Sequence, residues 1–257
     1  VQVAVQVVGQ YPELQPRDPE RRLQLRPEQA AQQQVEQAEP EIHGYDDCYR
    51  IADTLMYDDC PGKEPAMSPR PSDAPQRVID AAAQMLARVG LNATSIREVT
   101  KLAEAPLGST YHHFPGGKQE LLARATHMAG DKVEALLVEL LKGGAVQGLQ
   151  QFLAMWRERL LRSGFRAGCP VLAAAVEEPV EAVPSQPRVA AAEVFARWQG
   201  HLAAAFIADG HDPAAADGLA SLVIASVEGA VAMCRALQDI APFDRVAAQL
   251  LKAAAPP

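Results

Sequence analysis

Cysteine is scarce in this chain. Only Cys48, Cys60, Cys169 and Cys234 occur in 257 residues, widely spaced and with no C-x-x-C pair. That usage argues against a disulfide scaffold and fits a reducing, cytoplasmic setting. No run approaches eighteen consecutive apolar residues, so no membrane span is expected. No basic stretch followed by an apolar one opens the chain, so no secretory leader is expected either. Positive charge is also short, with 24 Lys/Arg against 32 Asp/Glu and a formal net charge of −8. Neither an H-E-x-x-H pair nor an EF-hand loop is present, and residues 120–257 offer no Ser/His/Asp set of base and nucleophile. No metal, cofactor or catalytic centre is therefore expected.

What is present divides sharply along the chain. Residues 1–66 hold 6 Lys/Arg against 13 Asp/Glu, together with ten Gln and seven Pro. The segment "QAAQQQVEQAEPE" is of low complexity, and the composition is that of a disordered or non-native extension. On this reading Met67 is the natural start. The acidic pairs of "YDDCYRIADTLMYDDC" (45–60) lack the spacing and turn glycine of a calcium loop.

From Ser72 onward the pattern is helical throughout, so the fold class is all-α. Asp73 with Gln76 marks a helix start, and Pro75 suits its first turn. Val78, Ile79, Ala82, Met85, Leu86 and Val89 recur at three- and four-residue spacing as one apolar stripe. Gly90 ends that helix. Ser95 and Glu98 form a capping box for a short second helix, with Ile96, Val99 and Leu102 facing inward. Pro106 opens a third helix, and Pro115-Gly116-Gly117 stops it near Phe114. Two short helices joined by a tight turn after a longer one give a helix-turn-helix outline.

The third helix and the start of the fourth read "GSTYHHFPGGKQEL" (108–121). Gly108 and Ser109 are small enough to let the backbone approach another surface. Tyr111 and His112 can donate to phosphate oxygens, and Lys118 lies in the first turn of the next helix, whose positive end favours an anion. A Walker A loop fails because His112 and Gln119 occupy its Gly and Ser/Thr places. His112 and His113 point about 100° apart on a helix and cannot chelate one ion. Phe114 belongs to the core.

Residues 74–122, through "VIDAAAQMLARVGLNATSIREV" and "GSTYHHFPGGKQELL", resemble the DNA-binding domain of the TetR family of transcriptional regulators. Further on, "GCPVLAAAVEEP" (168–179) resembles the Gly-Cys-Pro segment of its LmrA/YxaF-like subgroup. The resemblance implies that Thr94, Ser95, Tyr111, His112 and Lys118 touch DNA phosphates while Ser109 and Thr110 lie close to base edges. Three positions depart from the family pattern. Glu104 stands where a turn glycine is usual, Pro106 where a serine cap is common, and Leu107 where a basic or polar residue is frequent. Residues 67–119 carry six Lys/Arg against four Asp/Glu, a local positive excess that agrees with DNA binding.

The remaining chain continues as helices: a long one to Gly143-Gly144, another over 145–163, and a short one after Gly168-Cys169-Pro170. Two Ala-rich helices then meet at Asp212-Pro213. By resemblance, these last two pair across a two-fold axis into a homodimer through about 187–238, with Val223 and Ala230 as partner-facing positions. Packing within one chain is the alternative for the same helices. A small-molecule effector pocket between helices would be lined by Phe152, Met155, Trp156, Phe165, Cys169 and Trp198, with Met233 behind. Cys169 at a helix start is also a candidate redox thiol.

The domain plan is thus an extension (1–66), a helix-turn-helix DNA-binding domain (67–119) and a helical ligand-binding and dimerisation domain (120–257). Two function classes remain. One is a ligand-responsive regulator of a double-stranded DNA operator, a repressor released by a small molecule and with no membrane partner. The other is a helical small-molecule-binding protein or enzyme whose first helices are only structural.

Overall fold

A computed structural model describes residues 74–177 and 185–256, all within one packed unit. The extension 1–66, the Met67 start and the Asp73 cap lie outside these residues. Among the described residues every regular element is an α-helix, and no strand occurs. The helices are α1 (Ala74–Ala93), α2 (Ile96–Leu102), α3 (Leu107–His113), α4 (Gly117–Leu141) and α5 (Ala145–Arg162). They are followed by α6 (Pro170–Val176), α7 (Gln186–Ala208), α8 (Pro213–Leu237) and α9 (Ala241–Ala253).

The apolar stripe of α1 buries Val78, Ala82 and Leu86 against α4, with Ile79 and Met85 partly covered. Val89 is a correction to the expected stripe. It is exposed, one residue before Gly90, which takes φ +83°, ψ 179° and breaks the helix. The turn Leu91–Ala93 restarts beyond that break, so the first N–H groups of the new turn have no carbonyl four residues back. Glu177, just past α6, supplies the acceptors. Its Oε1 accepts from Leu91 N–H at 3.0 Å and its Oε2 from Asn92 N–H at 2.9 Å.

The core runs without interruption from Val78 on α1 to Ala254 beyond α9, passing through Leu121 and Leu122 at the start of α4. Its centre is the crossing of α4 and α7. Gly130 permits the close approach, since a Cβ there would lie 2.4 Å from Val194 Cγ2. Trp198 then reaches across and donates its indole N–H to the Gly130 carbonyl at 3.1 Å. At the rim of this seam, Arg197 donates to Glu134 at 2.6 Å and to Asp131 at 2.5 Å, and His201 meets Glu134 at 2.8 Å. Burial alone would raise the Glu134 pKa, but the hydrogen bonds and charges of Arg197 and His201 outweigh it and hold the carboxyl below its ordinary value.

Caps stop and start the other helices where the sequence marks them. Asp212 accepts from Ala214 N–H and Ala215 N–H at the start of α8. Asp209, after α7, accepts from Ala145 N–H at 2.8 Å and so caps α5 from a distant part of the chain. Helix α9, tied to α5 by Arg157 and Asp244 at 2.8 Å, completes the bundle. Its apolar face buries Phe243 and Leu250.

Candidate nucleic-acid interface and effector region

The α2–α3 unit is built from local bonds. Ser95 caps α2 by accepting from Glu98 N–H at 3.2 Å, and its hydroxyl donates to the Glu98 carboxylate at 3.1 Å. After α2, Glu104 adopts φ +50°, which lets Ala105 N–H reach back to the Thr100 carbonyl at 3.0 Å. This is a left-handed helix stop made by a glutamate where glycine would be free of Cβ crowding. Arg77 Nε, from α1, holds the turn through the Ala103 carbonyl at 3.2 Å. Pro106 is the N-cap of α3 rather than part of its first turn, and α3 ends at His113 as Phe114 drops into the core at 1% exposure.

The expected DNA contacts separate into two groups. Tyr111 is 54% exposed, and His112 is exposed beside it. Ser95 and Ser109 are half-buried, with the Ser109 hydroxyl donating to the Pro106 carbonyl at 2.9 Å. Lys118 is half-buried in the first turn of α4, where its Nζ donates to the Asn92 carbonyl at 3.1 Å. It therefore ties the end of α1 to α4 as well as presenting charge.

Thr94 and Thr110 are corrections. Thr94 is 1% exposed, its hydroxyl donating to the Gly90 carbonyl at 2.6 Å; Thr110 is 2% exposed and donates to the Pro106 carbonyl at 3.2 Å. Both side chains satisfy backbone carbonyls next to a break in the chain, so neither hydroxyl is turned to an external surface. Leu102 is also corrected, lying outward on α2 at 52% exposure. On the same short helix, Arg97 and Lys101 are exposed one turn apart. Sequence reasoning passed over this pair, although an i, i+4 basic spacing was there to be read.

The model of the tetR family of bacterial regulatory proteins matches residues 78–125. That of the C-terminal domain of LmrA/YxaF-like transcriptional regulators matches residues 145–249. An uncharacterized HTH-type transcriptional regulator of Mycobacterium tuberculosis strain H37Rv is 39% identical over 178 residues, covering 68% of this chain and 91% of that protein. The chain belongs to the TetR family of transcriptional regulators. YxaF, an uncharacterized HTH-type transcriptional regulator of Bacillus subtilis, is 27% identical over 180 residues, 69% of this chain and 93% of its own. The crystal structure of a TetR transcriptional regulator from Legionella pneumophila shares the fold, with a TM-score of 0.62 at 19% identity, over 72% of this chain and 97% of that one. Its kinship makes this protein a non-enzymatic, DNA-binding regulator.

In this TetR-family chain the residues expected around an effector are mostly packed together. Phe152, Trp156, Cys169 and Trp198 are buried core members, and Met155 is partly buried against them. Met233, placed behind them by the sequence, is corrected: it is 50% exposed on the outer face of α8. Phe165 alone among them lines a described cavity, a groove of about 830 Å³. Among the described residues, no group of three or more His, Cys, Asp or Glu could hold a metal ion.

Cys169 is buried at the start of α6. Burial, then the charge and hydrogen bond of the Glu228 carboxylate, push its thiol well above the ordinary value, so the reactive thiolate is disfavoured. Glu228 was not singled out by the sequence. It sits 6% exposed on α8, and burial raises its carboxyl to about 7 against the opposing hydrogen bond from Cys169. Its Oε2 has no hydrogen-bond partner. No local pattern marks a glutamate inside an Ala-rich helix as buried.

The α8 helix also carries an apolar outer face. It has the length and mean hydropathy, 1.6 in its most apolar window, to cross a membrane, yet only 39% of that window is buried. Leu222, Met233 and Leu237 lie outside at 49%, 50% and 60% exposure, while Val223 and Ala230 are buried within the subunit. The expectation that Val223 and Ala230 face a partner is therefore corrected: both side chains are used inside the subunit.

Proposed function

We propose that this TetR-family regulator is a cytoplasmic repressor that binds operator DNA as a two-fold homodimer and is released by a small-molecule effector. Residues 67–119 form the DNA-binding part and residues 120–257 the effector-binding and dimerisation part, with residues 1–66 dispensable for both. The observation that carries the reading is the outward face of α3. Gly108, Tyr111 and His112 stand exposed between the Ser95 cap of α2 and Lys118 at the start of α4. A short helix with small residues at its entrance can enter a major groove, while flanking donors grip the phosphates on either side. Arg97 and Lys101 add positive charge on the neighbouring α2. The apolar outer side of α8 supports dimerisation.

Gel-shift titration on DNA from around the protein's own gene, at several salt concentrations, tests this function. Lys118→Ala should weaken specific and random duplexes alike and flatten the log K against log salt slope by about 1 per subunit. Ser109→Ala should cost roughly 1–3 kcal/mol on the preferred site and little on random DNA. Absence of any duplex that the wild-type chain prefers over random DNA refutes the proposal.

A further inference from the structure

The groove that holds Phe165 lies at a junction of elements. Arg88 and Val89 at the end of α1 form one wall, Phe165 and Arg166 after α5 form the floor, and Ala232 and Arg235 near the end of α8 form the other wall. Among the described residues that line it, three are arginines and none is a carboxylate, in a chain of net charge −8. Its volume, about 830 Å³, is in the range that takes a small organic molecule. Phe165 is held there at φ +59°, a conformation an aromatic residue adopts only at some cost. Its ring packs partly against the core and lines the groove with the rest of its surface.

The walls are joined by hydrogen bonds. Arg235 Nη2 donates to the Arg88 carbonyl at 3.1 Å, and Gly168 N–H donates to the Ala87 carbonyl at 3.0 Å. The Arg235 guanidinium lies so close over Gly168 that a Cβ there would come within 2.3 Å of Nη1. Arg166 is exposed at the floor. Guanidinium groups bind planar oxyanions through paired N–H donors, and the apolar side chains between them suit a hydrocarbon or aromatic body.

We propose that this groove binds an amphipathic organic anion, a carboxylate head on an acyl or aromatic body. A carboxylate between Arg166 and Arg235 would engage the side chain that bonds to the end of α1. Occupancy therefore bears on how the helix-turn-helix is held. This last step rests on the regulator reading above; the binding itself does not.

The test uses the full chain with decanoate, decanol and decyltrimethylammonium as probes, followed by calorimetric titration. Decanoate should saturate one site per subunit, decanol should bind at least about 10-fold more weakly, and the cation should not bind. Arg166→Ala, an exposed change, should weaken decanoate by about 10-fold or more, the loss expected for one charge-assisted hydrogen bond. Val89→Trp, also at an exposed position, should block decanoate by filling the groove, while Ile207→Trp, exposed on α7 and outside the groove, should not. Equal affinity for decanoate and decanol, no binding of decanoate, or indifference to both Arg166→Ala and Val89→Trp in proteins that melt normally overturns the proposal. Gel shifts with decanoate separate the two readings. Saturable binding without a change in operator affinity leaves the site standing and removes its regulatory role, whereas failure to bind DNA at all counts only against the regulator.

Discussion

Glu177 occupies the space that a side chain on Gly90 would need. A Cβ at Gly90 would lie 2.0 Å from Glu177 Oε1, and that oxygen accepts from Leu91 N–H while Oε2 accepts from Asn92 N–H. The residue after α6 thereby caps the broken end of α1, whose Asn92 carbonyl in turn accepts from Lys118. Larger domain, helix break and Lys118 form one connected set of bonds.

Removing that cap should loosen the end of α1. Glu177→Ala leaves two backbone N–H groups without acceptors and is expected to cost about 1–3 kcal/mol in urea unfolding. The amides of Leu91 and Asn92 should exchange faster with solvent in hydrogen-exchange NMR. Unchanged exchange at both amides would show that the cap contributes nothing. Gly90→Ala should destabilise at least as much, because it adds both the clash and the strain of φ +83°.

Glu228 should make stability depend on pH in the direction opposite to a salt-bridged carboxylate. Its folded pKa, raised by burial from 4.5 to about 7, exceeds the unfolded value, so the folded state binds the proton more tightly. The stability it contributes is complete below about pH 4.5 and is lost as pH rises through about 7. At 1.36 kcal/mol per unit, the loss is on the order of 3 kcal/mol. Glu228→Gln should flatten that part of the stability profile and raise the melting temperature at pH 8. A variant with the wild-type slope between pH 5 and 7 would contradict the assignment.

The left-handed turn residue offers a change toward greater stability. Glu104→Gly removes Cβ crowding at φ +50° and should stabilise by about 1 kcal/mol, read as a higher urea midpoint. A lower midpoint would mean that the glutamate side chain makes a compensating contact.

For the dimer, the two faces of α8 give opposite expectations. Leu222→Arg or Met233→Arg, at exposed positions, should yield folded monomers in sedimentation, with near-wild-type helix content. Val223→Arg buries a charge inside the subunit and should unfold it instead. If Leu222→Arg and Met233→Arg both sediment as the wild type does, the partner sits elsewhere.

Local chemistry made much of the fold legible in the sequence. The 3.6-residue stripe of α1, the Ser95–Glu98 box, the Asp212 cap and the stops at Gly90 and Gly144 all act within a few residues, where side-chain type dictates backbone geometry. The spacing of "GSTYHHFPGGKQEL" likewise placed Tyr111 and His112 on an exposed short helix. Tertiary packing decided what periodicity leaves open, namely which edge of a stripe is covered. Val89 and Leu102 belong to apolar stripes, yet both lie outside because no neighbouring element covers them. Thr94 and Thr110 are polar, yet their hydroxyls turn inward to the backbone carbonyls of Gly90 and Pro106. Glu177 on Leu91 and Asn92, Glu228 on Cys169 and the arginine-lined groove each join residues far apart in the chain. Only the folded arrangement brings these together, because desolvation and hydrogen bonding depend on neighbours in space rather than in sequence.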